Sequence, residues 1–236
     1  ALVVDAVLRA EADETVLSRA SALGWGARGD VLVVLGDLPP RRTDTDVFEE
    51  VRRTAAAAGI DALCAAQGER LVVVLGGVGD PLTAAAAIAD HFGPGPVVVG
   101  PAASGLGDAH ASARSALSAH RAAAGWPDAP RPVSSADLLA ERAVAGDGHA
   151  RRYLVDEVYL PLVGARSALV ETLSAYFAEG ASIEGAARRL FVHPNTVRYR
   201  LRQVSELTHL APTEPRGALT LQIALVLGRQ SGRGDL

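Results

Sequence analysis

The stretch SIEGAARRLFVHPNTVRYRLRQV, residues 182–204, restricts the fold more than any other part of the chain. Ser182 suits an N-cap, and Ile183, Ala186, Ala187 and Leu190 then recur along one helix face. Phe191, Val192 and His193 form a three-residue connection before Pro194. Proline has no amide hydrogen, so it is tolerated at the first position of a helix and disrupts an interior one. One short helix therefore ends before Pro194 and a second starts there, which predicts a helix-turn-helix.

Helical geometry sorts the second helix into two sides. At about 100° per residue, Val197, Leu201 and Val204 share one stripe and must face a core. The opposite side carries Asn195, Tyr199, Arg202 and Glu206, with Thr196 and Gln203 on one flank and Arg198 on the other. These residue types suit DNA, because Arg offers a fork to guanine, Asn and Gln pair with adenine, and Thr supplies a hydroxyl and a methyl. The helix N-terminus, with its unpaired amides, favours a phosphate. From 188 to 202 there are five arginines, Arg188, Arg189, Arg198, Arg200 and Arg202, and no acid. Geometry alone leaves two readings open, a solvated structural helix pair and a DNA-reading module.

Charge distribution bears on that choice. The formal net charge is -4, yet residues 1–149 carry 12 arginines against 19 acids while 150–236 carry 11 against 8. A local basic surface on an acidic protein is what steering toward nucleic acid requires. All 23 basic residues are arginine. At 236 residues the chain exceeds the ~100–150 typical of one domain, so two domains are expected. A 49% hydrophobic content with only 4% aromatics predicts helices and parallel strands. No apolar run approaches the ~20 residues a membrane helix needs and no signal-peptide pattern is visible, so the expectation is a soluble, cytoplasmic protein with no membrane partner. The chain contains no Met, which predicts a fragment or processed form. Cys64, in the apolar DALCAA, reads as a buried thiol.

Along the N-terminal half, Asp13 caps an amphipathic helix, DVLVVLGDLPP reads as a buried strand, and TDVFEEVRRTAAAAG as a helix. IDALCAA and RLVVVLGG form a hairpin across a polar turn, DPLTAAAAIADHFG opens a helix with Pro81, and GPVVVGP and AHASARSALSAHRAAAG add a strand and a helix. WPDAPRP, residues 126–132, is the strongest breaker cluster and marks a domain boundary. Beyond it everything reads helical: SADLLAERAVAG, then ARRYLVDEVYLPLV broken by Pro161, then ARSALVETLSAYFAEG, with the tail RQSGRGDL frayed.

The segment LSAYFAEGASIEGAARRLFVHPNTVRYRLRQVSEL, followed after a short gap by ALTLQIALVL, closely resembles the C-terminal helix-turn-helix domain of PucR and CdaR type bacterial transcriptional regulators. The likeness covers about residues 165–228 and includes the signature VHxNTVRYRL. It implies a module that binds double-stranded DNA at an operator or promoter, and it carries Asn195, Thr196, Arg198, Tyr199, Arg200 and Arg202 onto the signature. Gln203, Arg188, Arg189 and His193 complete the candidate DNA-binding set, His193 being better suited to capping the turn than to reading a base. Tyr199 fits either an outward contact or packing along the helix. Many relatives have Arg where this chain has Pro194, a change that would remove a phosphate contact and stiffen the helix start.

The order of N-terminal elements, headed by LGWGARGDVLVVLGDL, resembles the GGDEF-like domain that precedes this helix-turn-helix in many members of the family. The expected fold is thus an α/β N-terminal domain, α+β palm-like and degenerate GGDEF-like, followed by an all-α helix-turn-helix domain. The expected boundaries are 1–126, a helical linker 127–164, and 165–236 for the DNA-binding domain. Diguanylate cyclases use metal-binding acids and a hairpin with adjacent acids, whereas AQGERLV offers Glu69 alone and Asp37 precedes a Pro-Pro stop. Two-metal chemistry needs several carboxylates, so no catalytic residue, metal or cofactor is expected. Gly77 and Gly79 start a dinucleotide fingerprint but Leu82 fills the third position, and a chain without lysine has no Walker lysine. His91, His110, His120 and His149 are too scattered for a metal site.

These readings predict a sequence-specific DNA-binding transcriptional regulator with recognition helix 194–207, acting as a homodimer or higher homo-oligomer on half-sites. The rivals are a nucleotide-binding or nucleotide-processing GGDEF-like enzyme with a structural helical tail, and a protein-interaction scaffold. Nothing in the residues specifies an effector. Relatives regulate purine use, sugar-acid use and, in actinobacteria, fatty-acid synthesis; the arginine-only, alanine-rich composition points to the last kind.

Overall fold

Val3, Val4 and Val7 bury one side of a seven-residue helix, α1 (Leu2–Leu8), that no sequence pattern marks. It is short and rich in β-branched residues, so its burial against the sheet holds it rather than its propensity. The computed structural model describes residues 2–27, 29–40, 42–165 and 168–232, and forms two units, Ala1–Glu141 and Arg142–Leu236. In the first unit, α2 (Glu14–Ala22) starts where Asp13 accepts a hydrogen bond from the Val16 amide at 2.9 Å. Then follow β1 (Val31–Asp37), α3 (Asp44–Ala57), β2 (Asp61–Gln67), β3 (Arg70–Gly76), α4 (Pro81–Ile88), β4 (Val98–Val99), α5 (Ala109–Ala122) and β5 (Val133–Ser134).

The strands form one sheet in the order β2-β3-β1-β4-β5. β1 lies antiparallel to both β3 and β4, and β2 to β3; β4 with β5 is the parallel pair. Composition alone predicts parallel strands, but the tight turn between β2 and β3 makes that pair antiparallel, and the return to β1 keeps the sense. Both faces are covered, which is why β1 reads as a continuous apolar run. Leu32 and Val34 pack with α3 and α4 through Val47, Val51, Ala85 and Ile88. Val31, Val33 and Leu35 pack on the other side with α1 and α5 through Val4, Val7, Ala113 and Ala116. β5 has only two residues, too short for periodicity to reveal, and lies beyond the breaker cluster at 126–132.

Helix α6 (Leu139–Val144) carries the division between the units. The second unit continues with α7 (Gly148–Tyr153), a π-helical turn Leu154–Tyr159, α8 (Leu160–Gly164), α9 (Leu169–Ala178), α10 (Ile183–Leu190), α11 (Pro194–Thr208) and α12 (Pro215–Gln230). Pro161 does not break the chain into separate helices as its residue type predicts. The backbone widens just before it, with the Leu160 amide donating to the Val155 carbonyl five residues back, and the proline then enters at the first turn of α8. Residues 166 and 167 and the last four of the tail read as frayed, 233–236, lie outside the described residues. Among the described residues no helix is long and apolar enough to cross a membrane.

The second unit closes where α12 crosses the π-helical turn. Gly228 is buried there, and a Cβ at this position would overlap the ring of Tyr159. Gly228→Ala is expected to lower stability by about 1–3 kcal/mol, the usual range for overpacking a filled core, and calorimetric melting measures it.

Candidate nucleic-acid interface

Helix α10 begins where the Ser182 hydroxyl accepts from the Gly185 amide at 3.0 Å. It buries Gly185, Ala186 and Ala187 and leaves Arg188 and Arg189 exposed. Phe191 ends it in the left-handed region, at φ 55 and ψ 41, and the Val192 amide reaches back to the Ala187 carbonyl at 3.0 Å. That reversal delivers the chain to His193 in extended conformation, φ -72 and ψ 144. His193 Nδ1 accepts from the Asn195 amide at 3.1 Å, so the histidine caps α11 and, in its neutral form, carries its proton on Nε2. Pro194 takes the first turn without losing a hydrogen bond.

The stripe expected to face the core does so: Val197, Leu201 and Val204 are buried. Asn195, Arg198, Tyr199, Arg202 and Glu206 are exposed, and Thr196 and Gln203 lie half-buried on the flank. Tyr199 is 58% exposed, and its hydroxyl accepts from Gln203 Nε2 at 3.3 Å. Arg198 is held along the surface by Asn195 Oδ1 at 2.9 Å and Glu184 Oε1 at 3.3 Å. Arg189 pairs with Glu179 at 3.1 Å. Arg188 and Arg202 have no hydrogen-bond or ion-pair partner among the described residues.

Arg200 is turned the other way. It follows Val197 by three residues and precedes Val204 by four, which puts it at the edge of the buried stripe. Its guanidinium donates to Thr172 Oγ1 on α9 at 3.1 Å, and that hydroxyl donates in turn to the Ala168 carbonyl at 2.7 Å. Arg188, Arg189, His193, Asn195, Arg198, Tyr199 and Arg202 are thus all exposed along α10, the turn and α11, whereas Arg200 is half-buried against α9. Phe191, in the turn between the two helices, is 96% exposed, the most of any exposed large apolar side chain among the described residues.

In the α/β unit the corresponding chemistry is thin. The turn joining β2 to β3 has Gly68 at φ 60, and Asp37 faces Arg70 across β1 and β3. Gln67 donates to Asp5 at 3.0 Å, and the Leu38 amide is bonded to the Glu69 carbonyl at 2.8 Å. His120 Nε2 lies 3.4 Å from Asp37 Oδ1, beside a cavity of about 530 Å³ whose walls include Trp126, Pro96 and Pro130. Burial pulls the His120 pKa below its ordinary value, Asp37 opposing that shift and Arg70 adding to it. Cys64 is buried and its thiol is pushed up to about 12 by burial, which leaves it no thiolate character near neutral pH. Among the described residues no three His, Cys, Asp or Glu side chains converge on a metal position.

Comparison with known proteins bears on both units. The PucR C-terminal helix-turn-helix domain matches residues 169–227, and the GGDEF-like domain matches residues 9–122. A protein of Mycobacterium tuberculosis, described as uncharacterized, is 43% identical over 97% of this chain and 57% of its own length. The chain thus spans little more than half of that curated relative. The purine catabolism regulatory protein of Bacillus subtilis is 39% identical over 61 residues, 26% of this chain and 12% of that protein. The crystal structure of a regulator of polyketide synthase expression from Bifidobacterium adolescentis superposes with a TM-score of 0.80 at 30% identity, covering 98% of this chain and 92% of that one.

The histidine at the sheet end gives a pH signature. With its folded pKa below the unfolded one, the unfolded chain takes up the proton first as pH falls, so the stability linked to neutral His120 is present above the ordinary histidine pKa and lost as pH drops through the folded value. Melting curves from pH 7.5 to 5.5 should show stability falling, and His120→Asn should flatten part of that fall.

Proposed function

Because the chain belongs to the family of regulators that join a GGDEF-like domain to a PucR C-terminal helix-turn-helix domain, we propose that it is a sequence-specific DNA-binding transcriptional regulator that reads its site with α11. One observation carries this reading: Arg202 stands exposed and, among the described residues, without a partner opposite the buried stripe, in line with exposed Asn195 and Tyr199. A guanidinium and a carboxamide aimed outward from one helix are the groups that pair with guanine and adenine edges in the major groove. Arg188, Arg189 and the Nε2 of His193, at the groove margin, meet phosphates. Arg198 joins them by exchanging Glu184 for a phosphate, at small cost because exposed ion pairs contribute only ~0–1 kcal/mol. Thr196 and Gln203 supply the flank of the reading face. Arg200 supports the face from behind, fixing α11 to α9 through Thr172.

A single recognition helix makes few base contacts, so the functional species is a homodimer or higher homo-oligomer on paired half-sites. In this reading the DNA-binding domain is residues 165–236. The likeness to the mycobacterial protein and to the regulator from Bifidobacterium adolescentis supports an actinobacterial regulator, and the description of the latter supports genes of polyketide-type synthesis as its targets. The GGDEF-like domain acts without catalysis, since the sheet end offers Asp37 and Glu69 where two-metal chemistry requires a cluster of acids. Incubation with GTP and Mg²⁺ should give no turnover; product formation would favour the enzyme reading.

The direct test selects a duplex with the chain from a random library and titrates it with variants by fluorescence anisotropy. Arg202→Ala should weaken binding to the selected duplex by about 1–3 kcal/mol and change binding to unrelated duplex little. An even loss on all sequences, with a salt slope reduced by about 1, would make Arg202 a phosphate contact. Unchanged binding by Asn195→Ala, Arg198→Ala and Arg202→Ala together would remove the assignment.

A further inference from the structure

Phe191 closes α10 with its backbone in the left-handed region, φ 55 and ψ 41, and it is 96% exposed. Either feature alone is ordinary, since isolated apolar residues at a surface are common. Together they are not. Left-handed backbone favours glycine, because a Cβ crowds the following carbonyl. Among the described residues the other non-glycine positions at positive φ are Ala10, Ala181 and His209, two methyl groups and a polar ring. The other exposed large apolar side chains range from 40% to 75%, so none gives up as much burial. Among the described residues nothing covers this phenyl ring, which points to a compensating contact outside the chain.

The surroundings say what that contact is. The turn is braced, with the Phe191 amide donating to the Arg188 carbonyl at 3.3 Å and the Val192 amide to the Ala187 carbonyl at 3.0 Å, so the ring is presented from fixed backbone. Exposed Arg188, Arg189 and His193 flank it, and α11 begins three residues later. An apolar ring set beside two arginines at the entry of a reading helix fits a polyanion that also carries methyl groups. Duplex DNA has both, its phosphates outside and the thymine C5-methyl in the major groove. A protein partner would not need the cations, and a self-association surface would not need the ring beside the helix that reads bases.

We propose that Phe191 is a specificity-determining DNA contact whose ring packs on a thymine methyl group where α11 enters the major groove. The inference rests on the DNA-binding reading above. It adds an apolar element to an otherwise polar and cationic face, and it predicts a thymine at a fixed place in each half-site.

The test uses the full chain, the duplex it selects, and copies of that duplex with each thymine replaced in turn by deoxyuridine, which removes only the methyl group. The parent should lose a few-fold affinity at one position per half-site. Phe191→Gly should bind the all-thymine duplex roughly tenfold more weakly, in parallel at every salt concentration, and lose nothing further at that deoxyuridine position. Its melting temperature should be no lower than the parent's, because glycine suits φ 55. Phe191→Gly binding like the parent, keeping full sensitivity to every deoxyuridine, melting lower, or losing self-association would each overturn the inference while leaving the DNA-binding reading intact. A parent chain that selects no sequence would instead bring down that reading and the inference with it.

Discussion

Burial of Val197, Leu201 and Val204 sets the rotation of α11 about its own axis, and every property of the reading face follows from that. Each fully buried aliphatic side chain contributes about 1.5–3 kcal/mol, whereas an exposed ion pair such as Arg198 with Glu184 contributes ~0–1 kcal/mol. The apolar stripe therefore decides which way the helix faces, and the polar groups adapt. A rotation of one residue, about 100°, would bury Arg198 or Arg202 and expose a valine. The bond from Arg200 to Thr172 adds a polar strut on the edge of the same stripe, and the His193 cap fixes where the helix starts.

The α/β unit depends on a different constraint, a sheet covered on both faces. Alternate residues of β1 go to opposite sides, with Leu32 and Val34 toward α3 and α4, and Val31, Val33 and Leu35 toward α1 and α5. That demand makes β1 and β3 nearly all aliphatic and leaves polar chemistry only at the strand ends. There the chain offers Asp37 across from Arg70, Gln67 at the end of β2, Glu69 in the turn, and His120 alongside. The result is a GGDEF-like body whose end is sparse in acids, joined in sequence to a helical unit whose basic residues gather around α10 and α11.

What the sequence revealed divides along physical lines. Asp13, Ser182 and Pro194 announce helix starts because capping and the missing proline amide are local effects, and a helix begins at each. The hairpin of β2 and β3 and the stripe of α11 are visible because their periodicities are long enough to read. α1 and β5 are invisible because seven and two residues carry no period, and their existence depends on partners distant in the chain. Pro161 misleads because a proline breaks a helix only if the preceding turn cannot widen, and here it does. Within the reading face, the wheel places Arg202 and Asn195 outward, but it cannot foresee that Arg200 reaches Thr172 across 28 residues of sequence. Phe191 escapes for the same reason: a turn residue's exposure depends on the fold around it.

The central claim is that the surface running from Phe191 through Arg202 lies in a DNA groove. Photo-crosslinking the full chain to its selected duplex, carrying 5-iodouracil in place of thymine, tests this most directly, because the covalent bond records which residues touch the bases. Crosslinked peptides should contain Phe191 or Tyr199, and should be lost on competition with unlabelled selected duplex. Crosslinks confined to residues 1–141 would contradict it.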